Sequence, residues 1–428
     1  MWRISYRLLR AASGVQYRLM RRFTPAGLFL GGCAVFAAAL GVDTSQTLAY
    51  QIFTLLLALG VVAVASIAVL RVPVSAERNL PRTVAAGETF SYSVRVRNLS
   101  DAPLAGLDLI ERTSDPRPTL AEFRSELRFP SYQGFSRLAR ARQVGTLEEA
   151  HLDRLAARGE AEVKITGRTW RRGVLHFEAI TVARADPLGL ARAQRTIAQP
   201  ANVVVLPRRY PVPPLALPGT RTFQPGGVSN AVSVGDAEEF IGLREYRPGD
   251  PLHRIHWKSF ARLGEPIVRE FQDEFFERYA LALDTFGEAR QALLFEEAVS
   301  VAASFIYTID TQECLLDLLF VGEQPYCYTG GRGQMQPLGL LEVLAGARLA
   351  GGSIARLRNA LLARRSQLSG CILILIAWDD ARRALVRELH RLGLPARVLL
   401  VCDAAPAGLP PSVHALVPGK IAEGLAKL

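Results

Sequence analysis

Two apolar stretches near the start of the chain leave it little freedom of fold. From Ala26 to Val42, and again from Leu48 to Leu70, there is no charged side chain. At about 1.5 Å of rise per helical residue, the second stretch can cross a hydrocarbon core of about 30 Å, and the first is at the short end of the spanning range. Only Asp43 to Thr47 separate them, so the pair reads as a transmembrane helical hairpin, 26–71, with both ends on one side. Arginines decide which side. Arg3, Arg7, Arg10, Arg18, Arg21 and Arg22 precede the first span, the connector has none, and Arg71, Arg78 and Arg82 follow the second. Flanking cations stay on the cytoplasmic face. The N-terminus and everything after Arg71 are therefore expected in the cytoplasm, at the inner membrane. A cleaved signal peptide fits poorly, because the region before the first apolar run is long, no small-x-small cleavage site stands out, and a second span follows at once.

At 428 residues the chain can bury two or three cores. Its formal charge of +11 would suggest a polyanionic partner if the excess were spread evenly, but six of those eleven charges fall in residues 1–22, where no acid offsets them. The excess thus belongs to a short basic cytoplasmic arm, 1–25, and no nucleic acid is expected. The five cysteines, Cys33, Cys314, Cys327, Cys371 and Cys402, form no CxxC pair and show no metal-ligand spacing. They read as free thiols in a reducing compartment.

Downstream of the hairpin the hydrophobic period changes to two. Phe90, Tyr92, Val94 and Val96 alternate with Ser91, Ser93, Arg95 and Arg97. Further short strands are expected at 163–166, 174–177 and 203–206, giving an antiparallel, immunoglobulin-like β-sandwich over 72–207. An Arg-, Ala-, Glu- and Leu-rich run at about 120–158 is expected as a helical insertion with a solvated surface. Pro211, Pro213, Pro214 and Pro218, followed by Gly226 and Gly227, mark a linker over 208–234. From 275 to 428, continuous apolar runs such as Tyr279 to Leu283 and Cys371 to Ala377 alternate with amphipathic helical patterns. That alternation predicts a parallel sheet covered on both faces. Ligands of such sheets gather at the carboxyl ends of the strands, where Asp284, Asp379 and Asp380 stand.

Between these parts, residues 235–274 pack acids, bases and aromatics densely. Arg247-Pro248-Gly249-Asp250 places Pro and Gly as a type II turn requires, and is expected to fold Leu243–Tyr246 back near Ile255–Lys258. Asp236, Glu238, Glu239, Glu245 and Asp250 are set against Arg244, Arg247, Arg254, Lys258, Arg262 and Arg269, so ion pairs can fix the segment without a ligand. A metal at Asp250, His253 and His256 has little helical support. Ser259 with His256 as base lacks any accompanying oxyanion loop. The glycines at 330–333 lack the Lys and Ser/Thr of a phosphate-binding loop.

The order Gly242-Leu243-Arg244-Glu245-Tyr246-Arg247-Pro248-Gly249-Asp250-Pro251, then Arg254-Ile255-His256-Trp257-Lys258, Ala261-Arg262 and Val268-Arg269-Glu270-Phe271, closely resembles the signature of the domain of unknown function 58 family. Arg172-Gly173 and Asp186-Pro187-Leu188-Gly189-Leu190 look like that family's upstream motifs, and His253 stands where the family usually has Arg. The resemblance implies a membrane protein whose C-terminal part is a von Willebrand factor A-like α/β domain. It also implies partners, a MoxR-type AAA+ ATPase and a transglutaminase-like membrane protein encoded nearby. A working metal-ion-dependent adhesion site in such a domain carries Asp-x-Ser-x-Ser, whereas the run here is Asp284-Thr285-Phe286-Gly287-Glu288. Two hydroxyl ligands are missing; with Glu288 and Asp379 as the only compensation, no metal and no other cofactor is expected.

The resulting expectation is a scaffold or adaptor at the membrane. Its interaction residues are Glu239, Arg244, Glu245, Tyr246, Arg247, Pro248, Gly249, Asp250, Arg254, His256, Trp257, Lys258, Arg262, Arg269 and Glu270. The alternative is an enzyme of envelope or polymer metabolism that uses carboxylates such as Glu239 and Asp250.

Overall fold

The computed structural model of the chain describes residues 2–40, 47–213, 238–250, 252–273, 277–309, 314–331, 334–406 and 408–428. The fold divides into two compact units, Met1–Pro207 and Arg208–Leu428. Most of the hairpin connector and most of the expected linker lie outside the described residues.

The first unit runs α1 (Trp2–Arg22), α2 (Pro25–Leu40), α3 (Thr47–Val69), β1 (Val74–Asn79), β2 (Thr83–Ala85), β3 (Thr89–Asn98), β4 (Leu104–Thr113), α4 (Leu120–Glu126), α5 (Tyr132–Arg142), β5 (Gly145–Leu147), β6 (Ala150–Leu155), β7 (Glu160–Thr169), β8 (Gly173–Ala185) and β9 (Arg192–Leu206). Within α3, Leu48–Val69 is the one helix among the described residues long and apolar enough to cross a membrane. Helix α2 packs beside it but has 16 residues, about 24 Å of helix, which is short of a full hydrocarbon core.

The base of α2 is clamped from below. The Thr24 amide donates to the Leu190 carbonyl at 3.1 Å, and the Thr24 hydroxyl donates to that of Gly189 at 2.5 Å. A Cβ on Gly27 would lie 1.9 Å from the Leu190 carbonyl oxygen, so only glycine allows this approach. Buried Asp186 shapes the supporting turn by accepting the Leu190 and Ala191 amides at 2.7 Å each.

Two sheets follow, ordered β1-β3-β7-β5 and β2-β9-β8-β4-β6, antiparallel except where β2 runs parallel to β9. Tyr92, Val94 and Val96 point inward while Arg95 and Arg97 face solvent, as the period-two pattern requires. They share one core with Ile165, Leu107, Leu109, Ile180, Val182, Val203 and Val205. Arg78, expected as a membrane-flanking cation, is instead spent inside this core. Its guanidinium meets the Glu111 carboxylate, Nε to Oε1 at 3.1 Å, while the Tyr92 hydroxyl donates to the same oxygen at 2.9 Å and the Phe177 ring lies beneath.

Two further expectations are corrected. The insertion is helical only as far as Arg142. Thr119 and Glu122 form a capping box at the start of α4 and Ser131 caps α5. Residues 150–155 join the sheet instead, with Leu152 opposite Leu107 and Leu155 opposite Leu104. These helices are solvated on one face only, and the basic arm of residues 1–25 is helical and packs on the other: Tyr6 of α1 meets Phe123 and Phe135, ring centroids 5.7 and 6.4 Å away.

The second unit runs β10 (Glu238–Glu245), α6 (Trp257–Leu263), β11 (Ile267–Asp273), β12 (Glu277–Leu283), α7 (Ala292–Thr308), β13 (Cys314–Val321), β14 (Pro325–Gly330), α8 (Pro337–Ala345), α9 (Ala355–Leu362), β15 (Gly370–Leu375), α10 (Asp380–Arg391), β16 (Ala396–Val401), β17 (Val413–Leu416) and α11 (Ile421–Leu425). Its opening residues are held rather than free: the Tyr210 amide and hydroxyl bond to Ser304 and Glu297 of α7. The six-stranded sheet is ordered β14-β13-β12-β15-β16-β17 and is parallel apart from the edge strand β14. Strand β15 is buried along its whole length, which accounts for its continuous apolar run. The order reverses between β12 and β15, and doubly wound sheets open a crevice at that point, beyond the strand ends.

Candidate functional site

Strands β10 and β11 form a separate antiparallel ribbon, with Glu245 opposite Ile267 and a register slip between Phe240 and Gly242. Leaving β10, the chain reverses as the sequence predicts. The Asp250 amide donates to the Arg247 carbonyl at 3.0 Å and Gly249 takes φ +109°, a conformation that L side chains avoid. Asp250 ties the turn to the strand. Its carboxylate accepts both terminal nitrogens of Arg244 at 2.7 Å and the Arg247 amide at 2.8 Å. The Arg244 hydrogen bonds, reinforced by that amide, hold the carboxyl down at about 2. A carboxylate so occupied and ionised is a poor proton shuttle near neutral pH.

Beyond the turn, the His256 amide donates to the Ile267 carbonyl at 2.8 Å and Ile255 bridges Val268. Strand β11 therefore lies between β10 and Ile255, so Leu243–Tyr246 and Ile255 flank it on opposite edges instead of meeting. The Tyr246 amide donates to the Pro266 carbonyl at 2.9 Å. His256 also starts α6. Its carbonyl accepts the Ser259 and Phe260 amides, and its Nδ1 lies 2.7 Å from the Ser259 hydroxyl. Nucleophile activation would require a group orienting the imidazole, and no carboxylate among the described residues pairs with it. The contact joins two side chains one turn apart at the start of the helix. Helix α6 ends at Gly264, whose φ of +77° stops it.

This segment leaves its large side chains outside. Trp257 is 62% exposed, stacked edge-on against Phe260, and Leu243, Leu252 and Leu263 are exposed as well. Pro248, Glu245, Arg247, Lys258, Arg262 and Arg269 also face solvent. Of the charge pairing expected across the segment, Arg244 with Asp250 is the pair seen among the described residues. The side chains of Asp236, Glu238, Glu239, Arg254 and Glu270 lie outside them. Asp250, His253 and His256 are not gathered, because Asp250 is taken by Arg244, His256 by Ser259, and His253 is exposed. No group of three or more metal-capable side chains occurs among the described residues.

At the strand ends where the order reverses, the decisive residue is Arg382, which sequence reasoning missed. Asp284, fully buried at the end of β12, accepts the Phe286 amide at 3.0 Å and the Ile376 amide at 3.4 Å, then meets Arg382 Nε at 2.6 Å. The other two guanidinium nitrogens reach the Asp379 carboxylate and the Phe286 carbonyl. Asp379 also caps α10 by accepting the Arg382 amide at 2.9 Å. Burial pushes the Asp284 carboxyl up, against the hydrogen bond and charge of Arg382, which pull it down. Asp284 and Asp379 thus share one internal cation. Glu288, the third residue compared with the adhesion-site motif, is not part of this cluster and pairs at the surface with Arg290 at 3.0 Å. An Asp at position i−3 of an amphipathic helix was the available signal, but such a pair usually reads as solvated surface.

The sequence family described as "Protein of unknown function DUF58" matches residues 242–361, which takes in the second half of β10, α6, β11 and the strands β12–β14 of the larger sheet. The uncharacterized protein YeaD of Bacillus subtilis is 27% identical over 142 residues, 32% of this chain and 33% of that protein. The match therefore spans about a third of that relative's length. Among solved structures, trypsin-activated alpha-2-macroglobulin of Escherichia coli is 18% identical over 37% of this chain and 10% of that one, with a TM-score of 0.19. A PapD-like domain of human CEP192 is 14% identical over 31% of this chain and 85% of that domain, with a TM-score of 0.20. Likenesses at such TM-scores carry no argument about fold or role.

Proposed function

We propose that the chain is a membrane-anchored adaptor. In this reading the hairpin of Ala26–Val42 and Leu48–Leu70 holds it at the inner membrane with both ends cytoplasmic. The two-sheet unit is immunoglobulin-like and the parallel-sheet unit von Willebrand factor A-like. The segment from β10 to β11 engages a MoxR-type AAA+ ATPase, with a transglutaminase-like membrane protein as a further partner. One observation carries the reading. Within Leu243–Arg269 an exposed tryptophan and three exposed leucines stand among four exposed cations, Arg247, Lys258, Arg262 and Arg269, that have no carboxylate partner among the described residues. Exposed aromatics and arginines on a rigid support are the residues that dominate binding energy, and a cationic rim favours an acidic partner. The locked Asp250 turn supplies the rigidity. Enzymatic use of Asp250 has less support, since that carboxylate is ionised and fully engaged.

Capture of the full chain from detergent-solubilised membranes tests this. The ATPase co-purifies with the parent protein, and Trp257→Ala combined with Arg262→Glu removes it. Parent preparations that contain no AAA+ protein refute the proposal. An Asp250→Asn variant that captures the ATPase normally, melts normally and yet abolishes function favours the enzyme instead.

A further inference from the structure

Helix α1 carries three distinct faces. At about 100° per residue, Trp2, Tyr6 and Leu9 share the side that packs on α4 and α5. Arg3, Arg7, Arg10, Arg18 and Arg21 fall together on the next sector. Beyond them, Ile4, Leu8, Val15 and Leu19 form a third stripe, and all four are exposed. Water is a poor solvent for such a stripe, and the packing of α1 does not cover it. The arginine sector borders an open cleft of about 700 Å³ lined by Arg7, Arg10, Tyr17, Arg18, Arg112 and Arg117. Arg10 and Arg117 share Asp115, and Arg112 pairs with Glu178. Arg7 and Arg18 face no carboxylate among the described residues.

What covers the stripe follows from what α1 is joined to. Only Phe23 and Thr24 separate it from α2, whose base is clamped on the Asp186–Ala191 turn. The direction in which α1 leaves the apolar helices is thereby fixed by hydrogen bonds. A helix with an apolar stripe beside an arginine-rich sector, held at the foot of a membrane helix, has the makings of an interfacial helix. We infer that α1 lies in the surface of an anionic bilayer, its Ile4–Leu19 stripe among the acyl chains and Arg7 and Arg18 on lipid phosphates. The inference rests on the membrane anchor proposed above.

The test labels a cysteine placed at Leu8 of the full chain, after Cys33, Cys327 and Cys402, the cysteines that are not buried, are changed to alanine. A second label at Val61 in α3 reports the anchor. Nanodiscs of phosphatidylcholine, with or without phosphatidylglycerol, are probed with a lipid nitroxide placed near the headgroup, a deeper lipid nitroxide, and aqueous iodide. The deep nitroxide quenches the Val61 label in both discs. The shallow nitroxide quenches the Leu8 label in phosphatidylglycerol discs, where iodide quenching is lost, and Arg7→Glu with Arg18→Glu restores it. A Leu8 label open to iodide beside a lipid-quenched Val61 label overturns the inference and leaves the anchor standing. A Leu8 label shielded from both quenchers is covered by protein, and one shielded equally without phosphatidylglycerol needs no anionic lipid; each also overturns it. A Val61 label open to iodide removes the anchor itself.

Discussion

Replacing Arg382 by alanine leaves Asp284 buried with two backbone amides and no cation. Removing one member of a buried pair typically costs about 3–5 kcal/mol, because the remaining charge keeps its desolvation penalty without compensation. With the Arg382 side chain 8% exposed and that of Asp284 fully buried, this range applies without a discount for solvent screening. For a unit the size of Arg208–Leu428, each kcal/mol moves Tm by about 2–4 °C, so the expected drop is roughly 6–20 °C. The loss also acquires a pH dependence. Without its guanidinium partner, Asp284 feels the upward push of burial with less to oppose it, so the native carboxyl keeps its proton to higher pH than the unfolded one, at about 3.9. A native pKa above the unfolded one makes the variant lose stability, relative to the parent, as pH rises above about 4. Thermal melts followed by tryptophan fluorescence at pH 5 and pH 8 therefore show the larger deficit at pH 8. Asp284→Asn combined with Arg382→Met removes both charges and is less destabilised than Arg382→Met alone. A deficit under about 1 kcal/mol at pH 8, or equal deficits at the two pH values, refutes the argument.

Three further outcomes follow from the geometry. Asp250 is held near 2 by Arg244 and the Arg247 amide, so its stabilising contribution is complete above about pH 4 and is lost as pH falls towards 2; in urea melts the gap between the parent and Asp250→Asn closes over that window. Gly27→Ala drives a methyl group into the Leu190 carbonyl and should raise hydrogen exchange at the Thr24 and Leu190 amides while leaving β12–β17 unchanged. Phe123→Ala empties the fully buried centre of the α1–α4–α5 contact, costing about 3–5 kcal/mol, and limited proteolysis should cut α1 or α5 first.

The parts of this fold legible in the sequence are those governed by local chemistry. The alternation along Tyr92, Val94 and Val96, the apolar run of β15 and the Pro248-Gly249 turn each follow from neighbouring residues alone. What stayed hidden depends on partners far along the chain. Arg78 meets Glu111 and Arg382 meets Asp284; nothing near Arg78 sets it apart, and Asp379 three residues before Arg382 reads equally well as a surface pair. Strand β6 was obscured by a helix-favouring composition that cross-strand pairing with β4 overrides. In the candidate site the turn was foreseen, but not the exposure of Trp257 and its leucine neighbours, because sequence alone does not say which apolar residues a small helix fails to bury.

The central claim is that the segment from β10 to β11 is a rigid binding surface and not a catalytic centre. Its most direct test takes the AAA+ ATPase proposed as partner and measures, on the same protein samples, its Kd and the Tm for Trp257→Ala, Lys258→Glu and Arg262→Glu. Each side chain is exposed and outside any described ion pair, so the account predicts binding weakened about tenfold or more, the cost of losing at least ~1.4 kcal/mol of contact, with Tm unchanged. Binding that survives all three substitutions, or weakens only in step with a falling Tm, contradicts it.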